Sequence, residues 1–152
     1  MPATGLDLHR NVSFFTVPVA FLICLVPHFI AVFSAGHGIY DNSSPRDFKD
    51  SVGKNSSITA QTKRRILRAE AATNNGFETL GFFAGAVVAA NQAGLDTATL
   101  NALSIGYILS RIVFVFLYIM VQNRGLSWLR TFTWDVGVAL STTLWVKARL
   151  RL

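Results

Sequence analysis

The sequence predicts an all-α integral membrane protein, a four-transmembrane-helix bundle of antiparallel up-down topology formed by one domain over residues 1–152. Three observations carry that prediction. The chain is 51% hydrophobic and only 14% charged, against the roughly 25% charged fraction of soluble domains. Four apolar runs, at about 12–33, 66–92, 98–122 and 128–146, match the ~20 residues that cross a hydrocarbon core of ~30 Å. Stop and start residues separate the last three runs. A net charge of +6 would suggest nucleic acid in a soluble protein, so the positions of the basic residues decide its meaning.

The first run, VSFFTVPVAFLICLVPHFIAVF, is uncharged and too long for the ~7–15-residue apolar region of a signal peptide, which favours a retained span. Pro18 and Pro27 inside it imply a local kink rather than a break, and Cys24 reads as an inert buried thiol. With one cysteine in the chain, no intrachain disulfide or CxxC site is expected. Residues 37–62 are rich in Ser, Asn, Gly and Asp and read as an exposed loop with little regular structure. A helix is expected from about Lys63 to Gln92, basic at first and apolar from Thr79. Gly94 suits its C-cap and Asp96 or Thr97 the next N-cap, so these two helices are antiparallel neighbours. Gly125 and Ser127 divide the third run from the fourth, which ends in the basic tail KARLRL.

Four spans place both termini on one side. The first loop and the start of the second span carry Arg46, Lys49, Lys54, Lys63, Arg64, Arg65 and Arg68, and Arg124 and Arg130 surround the third loop; the other side has Arg10, Lys147, Arg149 and Arg151. The positive-inside rule therefore puts the 37–62 loop in the cytoplasm and the termini in the lumen or exterior. The surplus charge is an orientation signal, and no nucleic-acid partner is expected. Of the acceptor tripeptides at Asn11, Asn42 and Asn55, the latter two should stay unglycosylated on this topology.

Glu78, Arg111 and Asp135 fall within the apolar helices, where ionisable side chains normally face the bundle interior and mark function. Residue counts from the turns near Leu95 and Arg124 put Arg111 level with Glu78 and Asp135, and Tyr118 level with Arg130. One reading is a structural ion-pair network. The other is a cytoplasm-facing pocket for a small anionic ligand, with arginines for carboxylates and Glu78 for an amine.

The stretch from Arg68 to Glu78 reads RAxxAxxNxxE; Arg111 and Tyr118 form R(x6)Y, and residues 129–134 read LRTxTW. Together these motifs resemble the MAPEG family, the membrane-associated proteins in eicosanoid and glutathione metabolism, which includes microsomal glutathione transferases. The resemblance implies a homotrimer in the endoplasmic reticulum membrane, if the source is eukaryotic, with glutathione bound as co-substrate between subunits near the cytoplasmic face. It implies that Asn75 and Glu78 hold the glutathione backbone and amine, that Tyr118 and Arg130 surround the thiol and a carboxylate, and that Arg111 and Arg68 complete the binding set. An adjacent guanidinium and a hydroxyl lower a thiol's pKa, so Arg130, with Tyr118 or Thr131 as hydroxyl donor, is the expected catalytic group. The expected function is conjugation of glutathione to lipophilic electrophiles, or lipid peroxide reduction, in contact with membrane lipids.

Departures from the family pattern point toward weaker binding of a doubly carboxylated tripeptide: Asn74 stands where a basic residue is common, Phe114 replaces a polar side chain, and His37 is the nearest polar group at the end of the first span. A non-catalytic protein keeping the MAPEG scaffold for structural or regulatory purposes is the competing reading; a small transporter is the third. The 63–65 basic cluster reads as a topology determinant, an electrostatic funnel or a headgroup patch. Gly81 and Gly85 form a GxxxG motif of low specificity, and Trp128, Trp134 and Trp145 read in part as interfacial anchors, with Trp128 and Trp145 near the two ends of the fourth helix. His9, His28 and His37 lack metal-ligand spacing, so no metal site is expected.

Overall fold

The computed structural model describes residues 9–123 and 125–152. Arg124, counted above among the third-loop cations, lies outside them. Every regular element among the described residues is helical: α1 (Ser13–Ala35), a 3-10 turn (Pro45–Asp47), α2 (Phe48–Lys54), α3 (Ala60–Gln92), α4 (Thr97–Met120) and α5 (Ser127–Arg151). The helix α1 runs through Pro18 and Pro27 without interruption. Of the long helices, α1 and α4 are long and apolar enough to cross a membrane.

Central to the packing is α3, which touches α1, α4 and α5. Its buried small residues, Ala69, Ala72, Ala86 and Ala90, bring neighbouring backbones close. Phe83 stacks on Tyr107 at 3.7 Å between ring centroids and joins α3 to α4 in the main core with Val87, Leu100 and Leu144. Gly76 and Gly137 are two of three glycines, with Gly85, that permit the tightest crossings. A Cβ on Gly76 would stand 2.8 Å from the Cys24 sulfur, and one on Gly137 would stand 2.9 Å from Ser110 Oγ.

The two residues of the GxxxG motif separate in role. A Cβ at Gly85 would meet the Trp145 ring at 2.9 Å, whereas one at Gly81 would meet nothing. Trp145 also donates its indole N–H to the Phe82 carbonyl at 3.1 Å, so it fastens α5 to α3 from inside the helix, which runs on to Arg151, rather than occupying a helix end.

Local chemistry sets the boundaries. Thr59 caps α3 by accepting the Thr62 N–H at 3.2 Å, so the helix begins at Ala60, three residues before the expected Lys63. Gly94 takes the left-handed conformation at φ +69, and the Leu95 N–H returns to the Ala90 carbonyl at 3.2 Å, closing α3 as its sequence suggests. Asp96 caps α4, accepting the Thr99 N–H at 2.8 Å. That backbone bond, seconded by the Thr99 side chain, holds the Asp96 carboxyl below its ordinary pKa. With the folded pKa depressed, the cap's contribution is complete above the unfolded carboxylate range and disappears as pH falls through the folded value. We expect Asp96→Asn to remove part of the acid-side fall in thermal midpoint measured below about pH 4; an unchanged pH profile would assign no charge role to this cap.

The 37–62 segment corrects the expectation of a loop with little regular structure. It contains the 3-10 turn and α2, because Phe48 and Val52 lie one turn apart and bury fully against Ala31, Ile66, Ala69 and Ile119. Lys63 donates to the Gly53 carbonyl at 2.8 Å, satisfying an orphan acceptor at the end of α2. The fourth helix by expectation ended at 146; as α5 it continues through the basic tail to Arg151.

Candidate functional site

A cavity of ≈ 220 Å³ is lined by Asn75 of α3, Phe114 and Tyr118 of α4, and Arg130, Thr131 and Trp134 of α5. The close crossing at Gly137 draws α4 and α5 together two turns from Arg130, so these side chains converge. The Arg130 guanidinium carbon lies 4.5 Å from the centre of the Tyr118 ring, and that of Arg68 lies 5.5 Å from the same ring. The phenol ring is thus bordered by two cations, each within cation–π range. Tyr118 and Arg130 meet as their equal count from the third turn implies.

Behind the cavity Arg111 is only 3% exposed. Its Nη2 donates to Asn75 Oδ1 at 3.0 Å, and its guanidinium carbon lies 4.3 Å from the Phe114 ring centre. Phe114, the apolar departure noted in the sequence, therefore supports the intramembrane-type arginine through its ring face. Arg68 donates to the Val121 carbonyl, tying α3 to the C-terminal end of α4, while its Nε is buried without a partner. The Trp134 indole N–H is likewise buried and unpartnered. Unsatisfied groups of this kind are uncommon and costly; Thr73 Oγ1 is another, and of these residues Trp134 lines the cavity.

The expected Glu78–Arg111–Asp135 pairing does not form. Arg111 meets α3 one turn from Glu78, at Asn75, so the helices match in depth and differ from the expectation in azimuth. Arg111 faces Asn75, and three further residues rotate Glu78 by ~300° around α3, leaving it ~60° to one side. Asp135 precedes Gly137, which meets α4, by two residues and so points ~200° away from that contact. Both carboxylates are exposed on the surface of the single chain. Thr131 lies at the cavity rim, exposed. Asn74 and His37 are exposed and do not line the cavity.

One part-buried polar pair is not anticipated by the sequence. Glu70, 8% exposed, lies 2.7 Å from His28 Nδ1, and His28 packs edge-on against Tyr40 at 5.7 Å. The intervening loop hid the match in depth between α1 and α3. A usable signal was present in His28, an imidazole inside an otherwise uncharged apolar run.

An all-helical arrangement among the described residues, with two helices long and apolar enough to cross a membrane, is that of a helical membrane protein. The family comparison is more particular. The family model described as MAPEG family matches residues 12–150, nearly the whole chain, and the chain belongs to that family, whose members are membrane proteins connected with glutathione and eicosanoid metabolism. Searches of curated proteins and of solved structures returned no match.

Proposed function

We propose that this chain is a glutathione-binding membrane protein that activates the glutathione thiol for conjugation to a lipophilic electrophile or for reduction of a lipid peroxide. The observation that carries the reading is the cavity in which Arg130 and Tyr118 stand together beside Asn75. A thiolate placed against Arg130 gains an ion pair, and a hydroxyl from Tyr118 or Thr131 donates to the sulfur; both favour the ionised form. The thiol proton leaves to solvent, the sulfur attacks the electrophilic carbon, and the C–S bond forms as the leaving group or π-electron pair is displaced. Asn75, Arg68 and Arg111 supply amide and guanidinium groups for the peptide and carboxylates.

In this reading α1, α3, α4 and α5 are four antiparallel spans, with the 37–62 segment in the cytoplasm and the termini opposite. The protein assembles as a homotrimer with glutathione between subunits. Glu78 supports that arrangement by its placement: one face of α3 carries it exposed, beside exposed Phe77, where a neighbouring subunit and a ligand amine can both reach it. In a eukaryotic source the membrane is the endoplasmic reticulum. The lipophilic partner enters between helices from the bilayer.

Calorimetry on detergent-purified protein tests the central claim. Millimolar glutathione should release or absorb measurable heat and raise the thermal midpoint, as ligand binding to the folded state requires; absence of both effects removes the enzyme reading. Topology is tested separately by translation into microsomes. Asn42 and Asn55 should remain unmodified, and a glycan at either would invert the orientation.

A further inference from the structure

We propose that the groove between α1 and α4 binds an anionic phospholipid, with the phosphate on Arg65 and one acyl chain laid along α4. Two adjoining cavities share Arg65, Ile119 and Met120. The outer one, of ≈ 370 Å³, is completed by the polar side chains Gln61, Thr62 and Gln122, where α3 begins and α4 has just ended. The inner one, of ≈ 450 Å³, is walled by Ile30, Ile112, Val115 and Phe116. Ile112 precedes Met120 by eight residues, so the apolar groove runs ~12 Å inward along the helix axis. Hydrogen-bonding groups at the helix ends followed by an apolar trough reproduce the order of chemistry in a phospholipid.

Arg65 has the capacity to take the phosphate. Its Nη2 donates to the Met120 thioether at 2.7 Å, a weak acceptor that a phosphate oxygen outcompetes, and a guanidinium fork matches phosphate geometry. Adjacent Arg64 is exposed and adds to the positive field, whereas Lys63 is engaged by the Gly53 carbonyl. A lone carboxylate would leave the amides of Gln61 and Gln122 unengaged, which favours a phosphate headgroup over a fatty acid. A second copy of this chain laid in the groove would cover an arginine and two amides, which disfavours a protein occupant. The inference rests on the membrane-embedded arrangement proposed above and is independent of glutathione.

Native mass spectrometry of the full chain in detergent, titrated with dioleoylphosphatidylglycerol or dioleoylphosphatidylcholine, is the test. Both lipids offer Arg65 a phosphate, but the choline cation of phosphatidylcholine is repelled by Arg65 and Arg64, so the anionic lipid should be retained about tenfold more tightly, roughly 1.4 kcal/mol, and Arg65→Gln should bring the two lipids close to parity. Ile112→Trp, at a half-exposed position, should weaken both lipids alike while leaving the thermal midpoint and the heat of glutathione binding unchanged. Equal retention of the two lipids by the native chain, or a preference that survives Arg65→Gln, overturns the proposal. So does displacement of phosphatidylglycerol by equimolar oleate, or dissociation of an oligomer by Ile112→Trp, which would assign the groove to a second copy.

Discussion

Arg130→Ala is expected to abolish the thiolate absorbance of bound glutathione near the ultraviolet edge and to weaken glutathione binding by about ten- to a hundredfold, the range for losing a hydrogen bond to a charged group. Arg130 is the cation nearest to Tyr118, at 4.5 Å from its ring, and it borders the cavity directly. Arg68 is farther from the ring and is engaged by the Val121 carbonyl; Arg111 is engaged by Asn75. Neither can take over without giving up a bond that holds the helices. Arg130→Lys should retain part of the binding, since charge persists, but lose the two-pronged geometry. Retention of the thiolate signal in Arg130→Ala would reject Arg130 as the activating group, and a difference spectrum of the purified protein with and without glutathione decides it.

Gly137→Val should destabilise the fold by about 1–3 kcal/mol, the usual cost of overpacking a closed contact, and should remove glutathione binding at temperatures where the protein is still folded. The added Cβ alone would approach Ser110 Oγ to 2.9 Å and the Arg111 side chain to 3.7 Å. Separation of α4 from α5 then withdraws Arg130 and Thr131 from Tyr118. Thermal unfolding and glutathione calorimetry on the same preparation distinguish the two effects. Gly81→Val is the control, because a Cβ there would meet no neighbour within the chain. A Gly137→Val protein with native midpoint and full glutathione heat would show that the crossing does not hold the cavity together.

What could be read from the sequence followed from short-range geometry. The turn at Gly94 and Asp96 is specified by its own residues, so helical rise alone relates α3 to α4 in depth. The same counting brings Tyr118 to Arg130 across the next turn. Azimuth was harder, because a shift of two or three residues turns a side chain to another face; Glu78 and Asp135 were misplaced for that reason. The helix α2 was hidden because its burial depends on two residues, Phe48 and Val52, whose partners Ile66 and Ile119 are distant in sequence. The His28–Glu70 pair was hidden because the segment joining α1 to α3 has no fixed length in space until α2 has docked.

The pairing of Glu70 with His28 also sorts charge across α3. Its α1 side holds an acid beside an imidazole, whereas on the cavity side Arg68, Arg111 and Arg130 have no carboxylate of their own chain at ion-pair distance among the described residues. Arg68 and Arg130 flank the one Tyr118 ring and repel one another, and the repulsion is strongest where water is scarce. An anion entering the cavity therefore completes the protein's own charge balance as well as binding to it. The ligand-free protein should be the more salt-sensitive form, gaining thermal stability from phosphate or sulfate that the glutathione-saturated protein does not gain. On the function proposed above, the tripeptide would then be a removable piece of the core.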